Sequence, residues 1–549
     1  MKKLLLIICG LISINTFAQN TFYPINSYGY KMSERCINTG FQNSINNITR
    51  EKNRLLYLNL EKDSLNENKE TRRNNRYESR YLFEDNFSNS LENNNRKTPI
   101  YVYPSAFYAI KGNDYIFVVN PVLNFSGGKE QATTKTLFQN TRGAEIFGNI
   151  GGLQKGIGFY SYFTENQVLM PNVYNFYPDS LNFMPNELFF KPFKKQGAID
   201  FFQARAYITF NAAKNYVKFQ FGHDKHNIGK GYRSLILSDF APQYLFLKIN
   251  TDVKRVHYQN LFTQFNDNGP ILGNTLFGKK YAAFHRLSFD VTKNLNIGLT
   301  EMVIFDRKDS TQSNQFDFNY LNPVIFYRAV ESNLGSRDNS MMALDFDWRV
   351  KNKFLFYGQF VLDEFNLKFL KTKPNWWGNK YAYQLGAKYY NMFNVKYLDA
   401  NLEYNRCRPY TYSHYRPTQS FSHFNQSLAH PLGANFSELI FQLRYQVNYR
   451  LSITLNNIFA VSGKDSFLNG RNYGGNILRN YNSRATENNS TLLMGKRTSL
   501  MINDLTVSYM YKHNLFLDLR INHRKENTIS NIFVSLGLRL NANYRQYDF

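Results

Sequence analysis

The chain has 549 residues, a formal net charge of +25 and 17% aromatic residues, yet its mean hydropathy is only −0.48. No segment beyond the N-terminal apolar run approaches 18 consecutive apolar residues, which excludes a helical membrane protein. A chain rich in Phe and Tyr but polar on average is typical of a barrel with aromatic girdles and a wet lumen.

The N-terminus predicts export. Lys2 and Lys3 precede an apolar run at 4–14 and a small-residue site at 16–18, which together indicate a secretory signal peptide over residues 1–18. In an exported protein the positive charge does not indicate nucleic acid. The anions available there are lipopolysaccharide headgroups and acidic surface polysaccharide, and the alternative is a solvated cationic surface.

Residues 19–114 do not have the pattern of a barrel. They are rich in Asn, Arg, Glu and Ser up to about residue 98, and Ile48, Leu55 and Leu60 follow a weak helical spacing. We expect a short, partly helical N-terminal segment in the periplasm. Cys36 in this segment and Cys407 are far apart in sequence, so they are either free thiols or one bridge, and no disulfide framework is expected.

Residues 115–549 predict an all-β fold, a transmembrane antiparallel up-and-down β-barrel of about 18 strands. Apolar and polar residues alternate clearly at 344–350 and in the last strand, where Ile532, Val534 and Leu536 face one side and Ser535 and Arg539 the other. The predicted strands are 115–124, 143–151, 156–165, 200–211, 214–222, 244–249, 255–264, 283–291, 294–305, 343–350, 354–363, 382–390, 396–405, 437–447, 450–460, 504–512, 515–523 and 531–541.

The connections between these strands alternate between long and short. Long connections are predicted near 125–142, 165–199, 223–243, 265–282, 306–342, 364–381, 406–436 and 461–503. This asymmetry is typical of an outer-membrane barrel with short periplasmic turns and longer loops at the cell surface, and an even strand count places both termini in the periplasm. A soluble sandwich or propeller would also alternate, but it should show a fixed repeat, and none is present.

The loop at 222–242 offers several chemical interpretations. His223, Asp224 and His226 lack a third or fourth ligand at a fixed spacing, so no metal or cofactor is predicted. Gly229, Gly231 and the nearby basic residues could cradle an anion. The alternative is a loop that folds back into the lumen and is pinned there by its own polar groups.

Two stretches resemble a known family. The first contains Gly222, His223, Asp224, Gly229, Gly231, Tyr232, Arg233, Ser234, Ser238 and Asp239. The second, at 423–438, contains His430, Pro431, Gly433, Asn435 and Glu438. Together they resemble the capsule-assembly Wzi family of outer-membrane barrels, and most closely its RemB branch in gliding Bacteroidota. The resemblance implies an 18-stranded barrel with a periplasmic helical portion, work with polysaccharide at the cell surface and, for that branch, gliding motility with motility-machinery proteins as partners. It brings no catalytic residue.

Two further loops are candidates for contact with polysaccharide. Trp376 and Trp377 can stack on sugar rings, although paired aromatic residues at a membrane rim also serve as interfacial anchors. The other loop combines basic and aromatic side chains, which suit either an acidic sugar or a rim that faces lipopolysaccharide. Its candidate contacts are Arg406, Arg408, Tyr410, Tyr412 and Arg416.

No Gly-x-Ser-x-Gly motif is present, and the Ser, His and Asp residues show no triad spacing, so catalysis is not predicted. The sequence predicts a non-enzymatic outer-membrane surface protein that acts in gliding, in binding and organising exopolysaccharide, or in both. The alternatives are a porin for anionic solutes and, with less support, an outer-membrane hydrolase.

Overall fold

Eighteen antiparallel strands close into one barrel in the computed structural model. The structure describes residues 100–549 except for 104–105, 113, 152–155, 173–182, 194–196, 214–215, 268–276, 308–314, 324–326, 337, 352, 365, 449, 466–469, 513, 544, 546–547 and 549. The barrel strands are β1 (Tyr115–Glu130), β2 (Thr136–Ile150), β3 (Ile157–Leu169), β4 (Ala198–Ala212), β5 (Val217–Asp224), β6 (Tyr244–Val253), β7 (Val256–Asn266), β8 (Lys279–Asp290), β9 (Leu295–Phe305), β10 (Asn339–Val350), β11 (Phe354–Glu364), β12 (Lys380–Tyr389), β13 (Leu398–Cys407), β14 (Phe436–Gln446), β15 (Leu451–Lys464), β16 (Lys496–Lys512), β17 (Leu515–Glu526) and β18 (Ile529–Leu540).

Each strand pairs with the next strand along the chain, and the last strand pairs with the first. β18 joins β1 in an antiparallel register that runs from Phe533 opposite Glu130 to Leu540 opposite Leu123. Closure removes both sheet edges, so every strand has two paired neighbours. The predicted antiparallel barrel of 18 strands is therefore confirmed, and each predicted strand has one observed counterpart.

The two faces of the wall differ as the alternation predicts. On β18, Val534 and Leu536 are exposed on the outside, whereas Arg539 is buried on the inside. On β10, Leu344 and Trp348 are exposed in the same way. A closed barrel whose outer face carries exposed apolar side chains along its strands is suited to lipid on the outside.

The inner face is polar and carries ion pairs between neighbouring strands. The Arg520 guanidinium donates to Asp504 at 2.6 Å, and Arg539 donates to Asp518 at 2.6 Å. Such pairs satisfy charges that would otherwise be costly to bury. They explain how acids and bases can alternate with aliphatic residues along one strand.

The two rims differ in the length of their connections. One rim, the long-loop rim, carries the connections 170–197, 225–243, 267–278, 306–338, 365–379, 408–435 and 465–495, together with the two short connections 131–135 and 527–528. The other, the short-turn rim, carries 151–156, 213–216, 254–255, 291–294, 351–353, 390–397, 447–450 and 513–514. The predicted alternation is confirmed for most of the series.

The long loop predicted near 125–142 is wrong. β1 continues to Glu130 and β2 begins at Thr136, so only residues 131–135 connect them. The extension has little strand propensity, since it includes Gly127 and Gly128, but its backbone pairs with β2 and β18 on its two sides. Pairing on both sides overrides local propensity here.

The N-terminal predictions fall mostly outside the described part of the chain. The signal peptide, the segment 19–99 and Cys36 cannot be compared with the structure. Residues 100–111 form two short strands, Ile100–Tyr103 and Ala106–Lys111, and the second pairs with β1 near the short-turn rim. Cys407 is buried and forms no disulfide with a described residue.

Helices occur only as short elements of the connections among the residues described. They are α1 (Tyr327–Leu334) and α2 (Leu367–Thr372), with 3-10 turns at Phe318–Leu321, Met392–Asn394, Pro417–Gln419 and Tyr481–Ser483. Asn366 begins α2, because its side chain accepts hydrogen bonds from the backbone amides of Lys368 and Phe369. No helix in the described ranges is long and apolar enough to cross a bilayer.

The outer face gives a direct test of the lipid-facing assignment. Leu536 is 63% exposed near the middle of β18, whereas Ile529 is 69% exposed at its rim end. We expect Leu536→Arg to lower the free energy of unfolding in lipid vesicles by about 2–4 kcal/mol, because a charge then lies near the bilayer midplane. The change Ile529→Arg should cost only about 0–1 kcal/mol, because Ile529 lies at the rim end of the strand and in register with the inward-facing Asn531 and Phe533, away from the lipid face. Equal costs for both variants would contradict the assignment.

Candidate functional site

The loop 225–243 folds into the lumen and forms a plug. Its apolar centre, Leu235, Ile236 and Leu237, is fully buried, and Ile228 is 1% exposed. The backbone amide of Ile228 donates to the carbonyl of Leu237 at 2.9 Å, which closes the loop on itself. An apolar segment therefore lies inside a polar barrel, and a backbone hydrogen bond within the loop closes it around that segment.

Polar side chains pin the plug from within and from the wall. The Ser234 hydroxyl donates to the Ile228 carbonyl at 2.6 Å and accepts from the amide of Leu237 at 3.2 Å. Gln359 on β11 donates to the same carbonyl at 2.7 Å and accepts from the amide of Leu235 at 2.7 Å. The predicted alternative of a loop folded back into the lumen and pinned by polar groups is what the structure shows.

Glycine is required where the plug meets this wall residue. Gly229 has φ = 115°, which L side chains rarely adopt, and a Cβ atom there would collide with the Gln359 amide. This gives the Gly-Lys-Gly pattern at 229–231 a structural role in the close approach of loop and wall.

Glu403 on β13 is the main anionic anchor of the plug. It accepts hydrogen bonds from the backbone amides of Tyr232 at 2.6 Å and Arg233 at 3.1 Å. The hydroxyl of Tyr357 donates to it at 2.8 Å, as does the side chain of Asn405 at 2.8 Å. A buried carboxylate with four donors is well satisfied, so it fixes the loop backbone firmly.

The two family-like stretches meet at Glu438. Arg233 from the first stretch lies 3.5 Å from Glu438, and His430 from the second lies 2.7 Å from it. Ser238 connects the stretches again, because its backbone amide donates to the carbonyl of Leu428 at 2.8 Å and its hydroxyl donates to Ala429. Residues some 200 positions apart thus form one buried polar network.

The rest of the second stretch holds the neighbouring long loop. The Asn435 side chain donates to the carbonyls of Gly463 and Met494 at 2.9 Å each and accepts from the amide of Leu493 at 2.7 Å. Pro431 and Gly433 shape the turn between His430 and this residue, and Gly433 has φ = 71°. The second stretch therefore joins the plug to the connection 465–495.

The remaining residues of the first stretch separate onto two faces. His223 lies on the outward face of β5, whereas Asp224 points inward and pairs with Arg205 at 3.6 Å. Gly222 packs closely against β4, and Asp239 accepts from Lys225 through its backbone carbonyl. The described residues contain no group of three or more His, Cys, Asp or Glu side chains placed to hold a metal ion.

The described residues beyond β18, among them Arg545 and Asp548, enter the lumen from the short-turn rim. Asp548 pairs with Arg233 at 3.1 Å and accepts a short hydrogen bond from the Tyr232 hydroxyl. Arg545 donates to Asn166 on β3 at 2.9 Å. The plug is thus held by the wall, by the second stretch and by the chain beyond β18.

Three loops of the long-loop rim bring aromatic rings into one group, which we call the rim cluster. The rings of Trp377 and Tyr481 lie 4.9 Å apart, and those of His414 and Tyr415 lie 4.4 Å apart. The members of the rim cluster are Phe369, Trp376, Trp377, Tyr410, His414, Tyr415 and Tyr481. Trp377, Tyr410 and His414 are its buried base, and the others are partly exposed.

Cationic side chains surround the rim cluster. The Arg484 guanidinium lies 4.4 Å from the ring centre of Trp377, and Arg416 lies 5.6 Å from that of Tyr415 with over half of its side chain exposed. Burial, followed by the charge of Lys380, lowers the pKa of His414 to about 4. Its ring is therefore neutral at pH 7 and packs as another aromatic ring in the buried base of the rim cluster.

The predicted sugar contacts are divided between base and surface. Arg408 is buried and bridges loops, since it donates to the carbonyls of Asn379 at 2.8 Å and Ser490 at 3.1 Å. Tyr412 is fully buried and donates to the Leu235 carbonyl of the plug at 2.7 Å. Arg406 faces outward at the end of β13. Of the predicted contacts, Arg416 and Trp376 remain accessible on the rim cluster, whereas Trp377 and Tyr410 belong to its base.

Sequence reasoning missed the contribution of the connection 465–495. Tyr481 and Arg484 complete the rim cluster, and Glu487 accepts from the indole nitrogen of Trp377 at 2.8 Å. These residues are about 100 positions from Trp377 in the chain. Because no local sequence pattern marks these three residues, only information about contacts between distant positions could have identified them.

No protein-family model matches this chain, and no curated protein matches it. Among solved structures, it is similar to Wzi of Escherichia coli, described as an outer membrane protein involved in group 1 capsule assembly and a carbohydrate-binding β-barrel. The identity is 12% and the TM-score 0.54, and the match covers 96% of this chain and 100% of that chain. At this identity the likeness shows the fold alone.

Weaker matches include Pseudomonas aeruginosa OccK3 (OpdO), with 9% identity and a TM-score of 0.42 over 77% of this chain and 95% of that chain. OccD1 (OprD) has 11% identity and a TM-score of 0.40 over 77% of this chain and 94% of that chain. A similarity of this degree carries no argument about function.

Because the plug fills part of the lumen and Glu403 anchors it, we expect ions to pass through the barrel only after Glu403 is replaced. We expect the wild-type protein to show little ion conductance in planar bilayers. Glu403→Ala should raise conductance and expose the loop 225–243 to protease, because each buried donor left unpaired costs about 1–3 kcal/mol. Glu165→Ala is the matched control, since that carboxylate is half exposed and pairs with Arg142. A large, steady conductance of the wild type, or equal behaviour of both variants, would contradict the plug.

Proposed function

We propose that this chain is a non-enzymatic outer-membrane protein whose long-loop rim faces the cell exterior and binds acidic surface polysaccharide. The rim cluster is the observation that carries the proposal. Aromatic faces such as Trp376 stack on sugar rings, and guanidinium groups such as Arg416 pair with carboxylates. Both kinds of group lie together on loops that are partly exposed.

The filled lumen favours this function over that of a porin. The plug contacts both Gln359 and Glu403 on the wall, and the connection 170–197 is tied to the loop 408–435 through Gln426, which donates to the Glu187 carbonyl at 2.9 Å. An anion channel would need a continuous water path. A porin therefore remains only as an alternative, in which the plug would have to move.

The outer apolar face supports membrane lipid as a partner, and the exposed basic residues of the long-loop rim also suit lipopolysaccharide. Lipopolysaccharide and free polysaccharide both present anionic sugars. The test must therefore measure the binding of lipopolysaccharide and of free polysaccharide to the same protein preparation.

Binding should be measured between the detergent-solubilised full chain and the producing cell's purified exopolysaccharide over a salt series. We expect binding that weakens with salt and falls at least tenfold in Trp376→Ala combined with Arg416→Ala, because both an aromatic face and a charge are lost. Arg408→Ala is less informative, since that buried side chain holds the loops together.

Lys293→Ala on the short-turn rim is the matched control and should bind like the wild type, because Lys293 is exposed away from the rim cluster. Equal loss in the control, or no binding at low salt, would refute the proposal. Binding to lipopolysaccharide alone would assign the rim cluster to the membrane surface instead.

The finer role in gliding rests on the resemblance of the two stretches, and it predicts motility-machinery partners. Deletion of the gene should slow the spreading of cells over surfaces, and the wild-type gene should restore it. A complementing Trp376→Ala and Arg416→Ala gene that restores spreading fully would separate gliding from polysaccharide binding. Unchanged spreading of the deletion strain would contradict a role in gliding.

A further inference from the structure

The turns of the short-turn rim carry charge of one sign. No Asp or Glu occurs in 151–156, 213–216, 254–255, 291–294, 351–353, 390–397, 447–450 or 513–514. Successive turns between β6 and β13 instead contain exposed basic side chains, which are Lys254, Arg255, Lys293, Lys351, Lys353 and Lys396. The connections of the long-loop rim contain acids as well as bases. The two rims therefore differ in the kind of charged partner that they suit.

The acids closest to these turns face the lumen. Asp252 on β6 and Asp290 on β8 lie on the inward faces of their strands, and they pair with His257 at 2.8 and 3.1 Å. Among the described residues, Lys293 and Lys351 have no ion-pair partner. The positive charge at the outer edge of the turns is thus not neutralised by these acids.

Three of the exposed lysines flank Trp348 on the outer face of β10. Trp348 is 48% exposed, and its partner across β9 is Leu295, two residues after Lys293. Lys351 and Lys353 begin and end the turn that directly follows β10. The three lysines and the indole therefore lie together where the outer face of the wall meets the turns.

A row of aromatic rings continues from Trp348 along the same edge. The ring of Trp348 lies 5.8 Å from that of Phe356 on β11. Phe354 on β11 stacks on Tyr389 of β12 at 4.5 Å, and Tyr389 lies 6.2 Å from Phe393 in the next turn. Phe393 is 75% exposed. Exposed aromatic rings at the end of an apolar wall are typical of the level at which lipid headgroups lie.

An anionic phospholipid fits both parts of this edge. Its phosphate carries the charge that complements the lysines, and its acyl chains can lie against the apolar wall above Trp348, where Leu299 and Leu344 are exposed side by side. A soluble acidic protein would match the charge but would leave the adjoining lipid-facing surface unused. The combination of lysines, aromatic rings and an adjoining apolar wall therefore favours a lipid.

We propose that Lys293, Lys351 and Lys353 bind the phosphate of an anionic phospholipid whose acyl chains lie against Trp348 and the outer wall. The site selects lipids by the charge of their headgroups, which general contact with a bilayer does not. It lies on the opposite rim from the rim cluster, so either site can fail without the other.

Trp348 supplies the readout for a test with the full chain in mixed vesicles of phosphatidylglycerol and phosphatidylcholine. One lipid at a time carries bromine on its acyl chains, which quenches the fluorescence of a tryptophan in contact with it. The quenching that is lost in Trp348→Phe belongs to Trp348, because the other tryptophans, Trp376 and Trp377, lie on the long-loop rim.

We expect Trp348 to prefer phosphatidylglycerol about fivefold or more at low salt, because each lysine near an anionic headgroup strengthens binding by about that factor. High salt should reduce the preference towards one, since these lysines are exposed. Equal quenching by the two lipids at low salt, or a preference that salt does not weaken, would overturn the proposal. Equal quenching would leave the lysines to a soluble acidic partner.

Variants locate the site. Combined replacement of Lys293, Lys351 and Lys353 by Gln should abolish the preference for phosphatidylglycerol. The matched control removes the same charge from three exposed lysines of the long-loop rim, by replacing with Gln Lys368, Lys371 and Lys373. It should keep the preference. Both triple variants should be quenched like the wild type when all of the lipid is brominated, which shows that they insert. The same preference in both triple variants would overturn the proposal.

Discussion

A barrel of 18 strands is too wide for side chains of its wall to fill, and its inward face is polar. This constraint governs the rest of the structure, because the buried polar groups of the wall must find partners inside the lumen. Gln359 and Glu403 find them in the backbone of the plug, and Glu438 finds Arg233 and His430. The plug is therefore a part of the fold that supplies partners to the polar groups of the wall.

In this arrangement the two family-like stretches have a structural role. Their residues meet inside the barrel at Glu438, and most of them hold loop against wall or loop against loop. The groups suited to polysaccharide lie elsewhere, on the rim cluster at the surface. The rim cluster is thus separate from the buried network at Glu438, as expected where a fold carries its variable sites on its loops.

The fold was largely predictable because the strands alternate regularly and the connections alternate in length. The failure at 125–142 has a local cause: Gly127 and Gly128 carry no strand signal, and their conformation is set by pairing with β2 and β18. Burial in the long loops was not predictable. Arg408 and Tyr412 have the composition of an exposed binding loop, but each makes its hydrogen bonds to the backbone of another loop. Tyr481 lacks any sequence neighbour that would indicate its contact with Trp377.

The central claim is that the plug is an integral, ordered part of the barrel. Hydrogen exchange of the full chain in detergent tests it most directly, through the amides of Tyr232, Arg233, Leu235 and Leu237, which donate to Glu403, Gln359 and Ser234. The account predicts protection close to that of the barrel strands. Exchange of these amides as fast as that of the exposed turn at 291–294 would contradict it.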